Sequence, residues 1–323
     1  MPGKVLVTEP IHDDVLNYLR EKTNLTVGKR GEYNSKDTLI TAVKQYDAIL
    51  SMLSNPFSRD VLEEAGSLKI VANYAVGYDN IDVAAAKEFG IRVSNTPGVL
   101  TDATADLAMS LLLTVARKVC ESQQHLRDGK FDGWHPLGFL GMELKGKNIG
   151  IIGMGRIGRA IAKRARAFGL NIHYHNRKPV DSSVEQSVDA TYEPDTKKMV
   201  RHSDILVLAC PLTPETRHLI NAETLDMMPN HALIINISRG PVVDEAALAK
   251  ALHQGIIGGA GLDVFEEEPI VHPDLLKAPN TVITPHIGSA AKEARRAMGL
   301  LAANAILDIL DGKPAESISN LVI

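Results

Sequence analysis

Cysteine is almost absent from this sequence: Cys120 and Cys210 are the only two in 323 residues. They form no CxxC pair, which argues against a disulfide framework or a thiolate zinc site. That usage fits a reducing compartment, so the cytoplasm is the expected location. Aromatic residues are scarce, at 4%, so the core must rest on Ala, Val, Ile and Leu. Long apolar runs are missing. The richest, 107–116, is too short to span a bilayer and reads as a buried helix. The start, Met1-Pro2-Gly3-Lys4-Val5-Leu6-Val7, lacks the apolar core of a signal peptide and reads as a first strand. An excess of positive charge is missing too. The formal net charge of −4 argues against a nucleic-acid or membrane partner.

What is present is an ordinary globular balance, 45% hydrophobic and 23% charged. At 323 residues the chain exceeds the usual size of one core, so two domains are expected. Short β-branched runs at 5–8, 47–52, 69–73 and 92–94 alternate with helically spaced runs at 13–21, 36–45, 59–64 and 83–88. A long helix over 102–127, capped by Thr101 and stopped near Gly129, comes next. A second series places strands at 148–152, 171–175, 204–208, 232–237, 258–264 and 281–284. Its helices fall at 157–168, 196–202, 222–228 and 245–253, and a last helix covers 290–310. The alternation predicts an α/β fold of two doubly wound parallel-sheet domains. We place the first at 1–98 plus 288–323 and the second at 99–287.

The second domain opens on a phosphate-binding signature. The apolar run Asn148-Ile149-Gly150-Ile151-Ile152 leads into Gly153-Met154-Gly155-Arg156-Ile157-Gly158, with a helix after it and a second strand by His175. A GxGxxG alone is weak, but strand before and helix after are what a dinucleotide-binding Rossmann unit requires. Gly153 permits the tight turn, Gly155 lets backbone approach a pyrophosphate, and Gly158 lets helix and strand pack closely. Arg156 and Ile157 open the helix whose amides and partial positive charge face the phosphates. A glycine-rich turn without a ligand is the alternative. At the end of the second strand NAD-specific units carry an acid for the ribose 2′-hydroxyl. Here Asn176 stands there, 18 residues beyond Gly158, followed by Arg177 and Lys178. NADP(H) is preferred on that reading, with NAD(H) left open; solvated loop charges are the alternative.

Ligands of open α/β sheets bind outside the carboxyl ends of the strands. Three such ends in the second domain carry Ser238-Arg239-Gly240, Phe265-Glu266-Glu267-Glu268-Pro269 and Pro285-His286-Ile287-Gly288. A His, a carboxylate and an Arg suit keto-acid reduction. Negative charge building on the carbonyl oxygen needs a donor that titrates near neutrality, which is His. A neighbouring carboxylate orients and stabilises the imidazolium, and Arg offers a planar fork to a substrate carboxylate. Singly, each has a plainer explanation: a solvated acidic run, a structural His, a turn-anchoring Arg.

These stretches, with Asn73-Tyr74-Ala75-Val76-Gly77-Tyr78-Asp79-Asn80 and Gly261-Leu262-Asp263-Val264, resemble the D-isomer-specific 2-hydroxyacid dehydrogenase family. The likeness covers essentially the whole chain and is strongest to the glyoxylate/hydroxypyruvate reductase branch. The resemblance implies a catalytic set of Arg239, Glu268 and His286. It implies that the amides of Val76 and Gly77 grip the substrate carboxylate and that Leu53 lines the pocket. It implies cofactor contacts from Thr104, Cys210, Pro211, Ile237, Ser238, His286 and Gly288, with Asp263 on the nicotinamide carboxamide. A homodimer paired through the nucleotide domains is implied as well. One position departs from the branch. Its reductases carry a second Trp shortly after the one matching Trp134, where this chain has Gly138, so a longer substrate such as 2-ketogluconate stays open. A dinucleotide-sensing co-repressor built on the same fold is the rival from another class. No metal site is expected: His173 and His175 share a strand face without a third ligand beside them.

Overall fold

The structure is a computed structural model and describes residues 2–323. The chain divides into two compact units, Met1–Leu100 with Ser289–Ile323, and Thr101–Gly288. The first unit holds β1 (Lys4–Val7), α1 (Asp13–Arg20), β2 (Asn24–Val27), α2 (Lys36–Gln45), β3 (Ala48–Ser51), α3 (Arg59–Leu62), β4 (Ile70–Asn73), α4 (Val83–Glu88) and β5 (Arg92–Ser94). Its five strands are all parallel, in the order β2-β1-β3-β4-β5. Both faces of β3 and β4 are covered, so these strands are buried at every position. Part of that cover is the final helix, Lys292–Leu310, which packs on β3, β4 and α1.

The second unit begins with α5 (Thr101–Ala116) and α6 (Val119–Arg127). The long helix expected over 102–127 is therefore two helices. Lys118 takes a left-handed conformation, φ 51°, and ends the first. No side chain of α6 is buried, so no core holds it in line with α5. Then follow β6 (Asn148–Ile152), α7 (Arg156–Ala167), β7 (Asn171–His175), α8 (Ser182–Val188), β8 (Ala190–Tyr192), α9 (Thr196–His202) and β9 (Ile205–Leu208). The unit closes with α10 (Ala222–Met227), β10 (Leu233–Asn236), α11 (Glu245–His253), β11 (Gly259–Leu262) and β12 (Thr281–Ile283), leaving α12 for the final helix. Its seven parallel strands run β12-β11-β10-β9-β6-β7-β8. The order reverses between β6 and β9, which is the switch point where such sheets take ligands. The architecture is the expected α/β one, two doubly wound parallel sheets. Strands β2 and β8 and helix α8 are additions to the sequence reading. Among the described residues no helix is long and apolar enough to cross a membrane.

The segment after α5 stands out. Trp134 is 85% exposed and Leu137 80%, and Leu126, Phe131 and Leu140 are also largely uncovered.

Candidate active site

The glycine turn sits at the switch point. Gly153 has φ +103°, and a Cβ there would meet the Ala209 carbonyl at 2.6 Å, so this position needs glycine. Its N–H donates to the His175 carbonyl at 2.9 Å. A Cβ on Gly158 would lie 2.0 Å from the Gly153 carbonyl oxygen, so α7 rests directly on the turn. Gly155 is different: its φ is −75° and a Cβ would meet nothing within 4 Å. Nothing in the protein itself demands glycine there. Open space before the amino end of α7, flanked by Arg156 and Ile157, suits a pyrophosphate brought close to backbone. The residues present thus fit a dinucleotide.

Asn176 closes this edge, its Oδ1 accepting from Met154 N at 2.8 Å, while Arg177 and Lys178 are exposed. The sequence reading missed Glu215. Its carboxyl is held below the ordinary Glu value by the Thr213 hydroxyl, by its own backbone and by the charge of Arg177. Arg177 therefore has an acid for a neighbour.

Three loops at the carboxyl ends of β10, β11 and β12 carry Arg239, Glu268 and His286. Asn236 shapes the first: its Oδ1 accepts from Ser238 N (3.0 Å) and Ser238 Oγ (2.8 Å), and its Nδ2 donates to the Arg239 carbonyl (3.0 Å). Arg239 Nη1 donates to the Ser238 carbonyl at 2.9 Å. At Gly240 a Cβ would lie 1.8 Å from the Phe265 carbonyl carbon, so the first loop lies hard against the second. In that second loop Glu268 Oε1 accepts from Phe265 N (3.1 Å) and Oε2 contacts His286 Nδ1 at 2.7 Å. Burial pushes the Glu268 carboxyl up, but the His286 hydrogen bond and charge, the Phe265 amide and the Arg239 charge outweigh it. The net shift is downward. Glu268 is thus a carboxylate facing an imidazole with a guanidinium in electrostatic range.

His286 itself has φ +52°, uncommon for a side chain of its size. Its N–H donates to the Asp263 carbonyl at 2.9 Å. The buried Asp263 carboxylate then accepts from Thr284 Oγ1 (2.6 Å), Ile287 N (2.8 Å) and Gly288 N (2.7 Å). Asp263 thus fixes the backbone on both sides of His286. Desolvation raises its pKa, against those hydrogen bonds. Gly288 abuts Asp263 and Thr104: a Cβ there would lie 3.2 Å and 3.4 Å from them.

Cys210, at the end of β9, is buried, and burial pushes its thiol up to about 11, so it packs as a neutral group. Ile237 and Ser238 are buried and Pro211 is exposed. His175 is engaged by the Glu193 carbonyl and Thr196. Among the described residues no group of three or more His, Cys, Asp or Glu is placed to hold a metal.

In the first unit, Leu53 follows β3, and Val76 and Gly77 follow β4. Four asparagines hold these loops. Asn95 Nδ2 donates to the Val76 carbonyl (2.8 Å) and Asn73 Nδ2 to the Gly77 carbonyl (2.8 Å), while Asn55 and Asn80 tie the Met52 segment. The carbonyls are engaged, whereas the amides of Val76 and Gly77 donate to no acceptor among the described residues. Asn73, Asn95, Asn236 and Thr284 were not singled out from sequence. The available signal was polar side chains at the ends of apolar strands.

The sequence model described as D-isomer specific 2-hydroxyacid dehydrogenase, NAD binding domain, matches residues 109–288. A glyoxylate reductase of Pyrococcus horikoshii is 47% identical over 99% of this chain and 96% of its own length. The TT0316 protein of Thermus thermophilus superposes with TM-score 0.90 at 41% identity, over 99% of this chain and all of its own. A Sinorhizobium meliloti NADPH-dependent glyoxylate/hydroxypyruvate reductase, in complex with NADP and malonate, superposes with TM-score 0.85 at 37% identity, over 95% of this chain and 93% of its own. With its Rossmann turn and its Arg, Glu and His at adjacent strand ends, this chain belongs to the D-isomer specific 2-hydroxyacid dehydrogenase family.

Proposed function

We propose that this chain reduces a small 2-keto acid, glyoxylate or hydroxypyruvate, to the D-2-hydroxy acid with NAD(P)H. The observation that carries this reading is the 2.7 Å contact of His286 Nδ1 with Glu268 Oε2, on a loop pinned by Asp263. With Nδ1 donating to the carboxylate, Nε2 is the nitrogen left to hold a proton toward substrate. A bound nicotinamide supplies the hydride that reaches the keto carbon. As charge builds on the carbonyl oxygen, His286 donates its proton and Glu268 stabilises the charged imidazole beforehand. Arg239 offers two parallel N–H groups to the substrate carboxylate. The amides of Val76 and Gly77, and the Leu53 side chain, serve as further substrate contacts.

For the cofactor, the glycine turn takes the pyrophosphate, and Thr104, Cys210, Pro211, Ile237, Ser238 and Gly288 flank the rest. Asp263 accepts three hydrogen bonds. A carboxylate offers about four acceptor positions, which leaves one for the carboxamide. NADP(H) is preferred because Asn176 presents no charge to repel a 2′-phosphate and Arg177 and Lys178 can pair with it. The NADPH-dependent reductase of Sinorhizobium meliloti, 37% identical, supports this. The subunit works as a homodimer in the cytoplasm, with the exposed Trp134 and Leu137 as its apolar seam, and with no nucleic-acid or membrane partner.

The test is steady-state turnover of a 2-keto-acid panel with each cofactor. We expect glyoxylate and hydroxypyruvate to turn over, with at least roughly tenfold higher kcat/KM for NADPH, since one charge-assisted hydrogen bond is worth about that much. Equal efficiency would make Arg177 and Lys178 surface charge only. No turnover of any keto acid would favour a dinucleotide-sensing protein. Preference for 2-ketogluconate would favour the longer-substrate reading, for which Gly138 speaks: a Cβ there would have only His135 nearby.

A further inference from the structure

Glu245 opens α11 and is buried, 7% exposed, although neither the catalytic set nor the cofactor contacts use it. Its Oε1 accepts from Glu266 N at 2.6 Å and its Oε2 from His272 N at 3.3 Å. In return Glu266 Oε1 accepts from Glu245 N at 3.1 Å. Glu268 lies between those two amides in the chain, two residues after the first and four before the second. One carboxylate thus holds the loop on both sides of the residue that faces His286.

The groups around this clasp are few. Glu266 puts a second carboxylate beside Glu245, and His218 Nε2 stands 2.9 Å from Glu266 Oε1 without an aligned hydrogen bond. His272 adds its imidazole. Burial raises the Glu245 pKa, opposed by the two amides, so its charge depends on them. A carboxylate kept in such a place needs its amides, and the loop needs it.

We propose that Glu245 is a positioning residue for the reaction: by bridging the amides that flank Glu268, it sets where that carboxylate stands beside His286. This rests on the reading in which Glu268 and His286 act as a pair. Gly240 is packed against Phe265 at the start of the same loop, so the Glu245 bridge acts on the part of the loop beyond that contact.

The variant Glu245→Gln keeps the shape but turns one acceptor into a donor, which then meets an N–H. We expect kcat to fall roughly tenfold, the weight of one lost charge-assisted hydrogen bond. The KM for the nicotinamide cofactor should hold. The alkaline limb of the reductive pH–rate profile should move to lower pH, in the direction produced by Glu268→Gln. Added to Glu268→Gln, it should change kcat by no more than about twofold, because the path through Glu268 is already cut. If Glu268→Gln moves the limb and Glu245→Gln does not, Glu245 only stabilises the fold and the proposal fails. A limb unmoved in both removes the pair reading, and this proposal with it. Should Glu245→Gln not fold, Glu245→Asp keeps the charge and loses the reach. The same displacement is expected there, and its absence overturns the proposal.

Discussion

Glu268 is under opposed forces: burial favours its neutral form, while His286, the Phe265 amide and Arg239 favour the carboxylate and prevail. A carboxyl with a depressed pKa keeps its contribution above the unfolded value and loses it only as pH falls through the folded one. The pair should therefore stay intact from neutrality down past about 4.3, the ordinary Glu value. Wild-type reductive kcat should then show no loss between pH 6 and pH 5; a fall by pH 5 would show that the carboxyl is not held low. His286→Ala should lower kcat by about 10²–10⁴-fold, the usual weight of a positioned acid, in protein that still melts cooperatively. Near-normal turnover would remove it from the chemistry. Arg239→Lys keeps the charge but loses the fork, so KM for the keto acid should rise by roughly tenfold or more with cofactor KM little changed. Equal losses for both would recast Arg239 as structural.

Among the elements, α11 acts as a strut for the loop that carries Glu268. Glu245 holds the loop at the helix start, and His253 Nε2 contacts the Asp274 carbonyl (3.0 Å) at its end. Gly240 fixes how closely the Arg239 loop approaches. In Gly240→Ala the added methyl would lie 1.8 Å from the Phe265 carbonyl carbon, so the backbone before Glu268 must shift. A displacement near 1 Å at a site can cost about 10²-fold, and we expect a kcat loss of that order with a lowered Tm. Wild-type kcat in Gly240→Ala would mean that the two loops need not touch for the pair to work. This scale also shows what was legible in the sequence. Strands β6, β9 and β10 were readable because burial on both faces leaves nearly unbroken apolar runs. The edge strands β2 and β8 were not, since one side of each has no neighbour and Asn24–Val27 buries only half of its residues partway. Nor was the break between α5 and α6, which falls at Lys118 with no Gly or Pro to mark it. Arg239, Glu268 and His286 could be found because their chemistry shows in residue type and strand-end position. Glu245 and Asn236 act by holding backbone whose course no local pattern reveals.

For the whole molecule, the homodimer proposed above would cover apolar surface exposed on the second unit. A second copy of the 35.0 kDa chain would bury Trp134 and Leu137. Sedimentation should give a dimer mass for the wild type, and Trp134→Ser with Leu137→Ser should shift it toward the monomer. A wild-type mass of one chain would end the dimer reading. The first unit is built from two separated stretches, with the whole second unit between Leu100 and Ser289. At the usual ~5–20 residues per second of a ribosome, those 188 residues take roughly 10–40 s to make. For that interval the newborn β3 and β4 stand without the helix Lys292–Leu310 that covers them. The stretch up to Leu100 is thus made well before the helix that completes its unit, exposed meanwhile to chaperones and to the same stretch of neighbouring nascent chains.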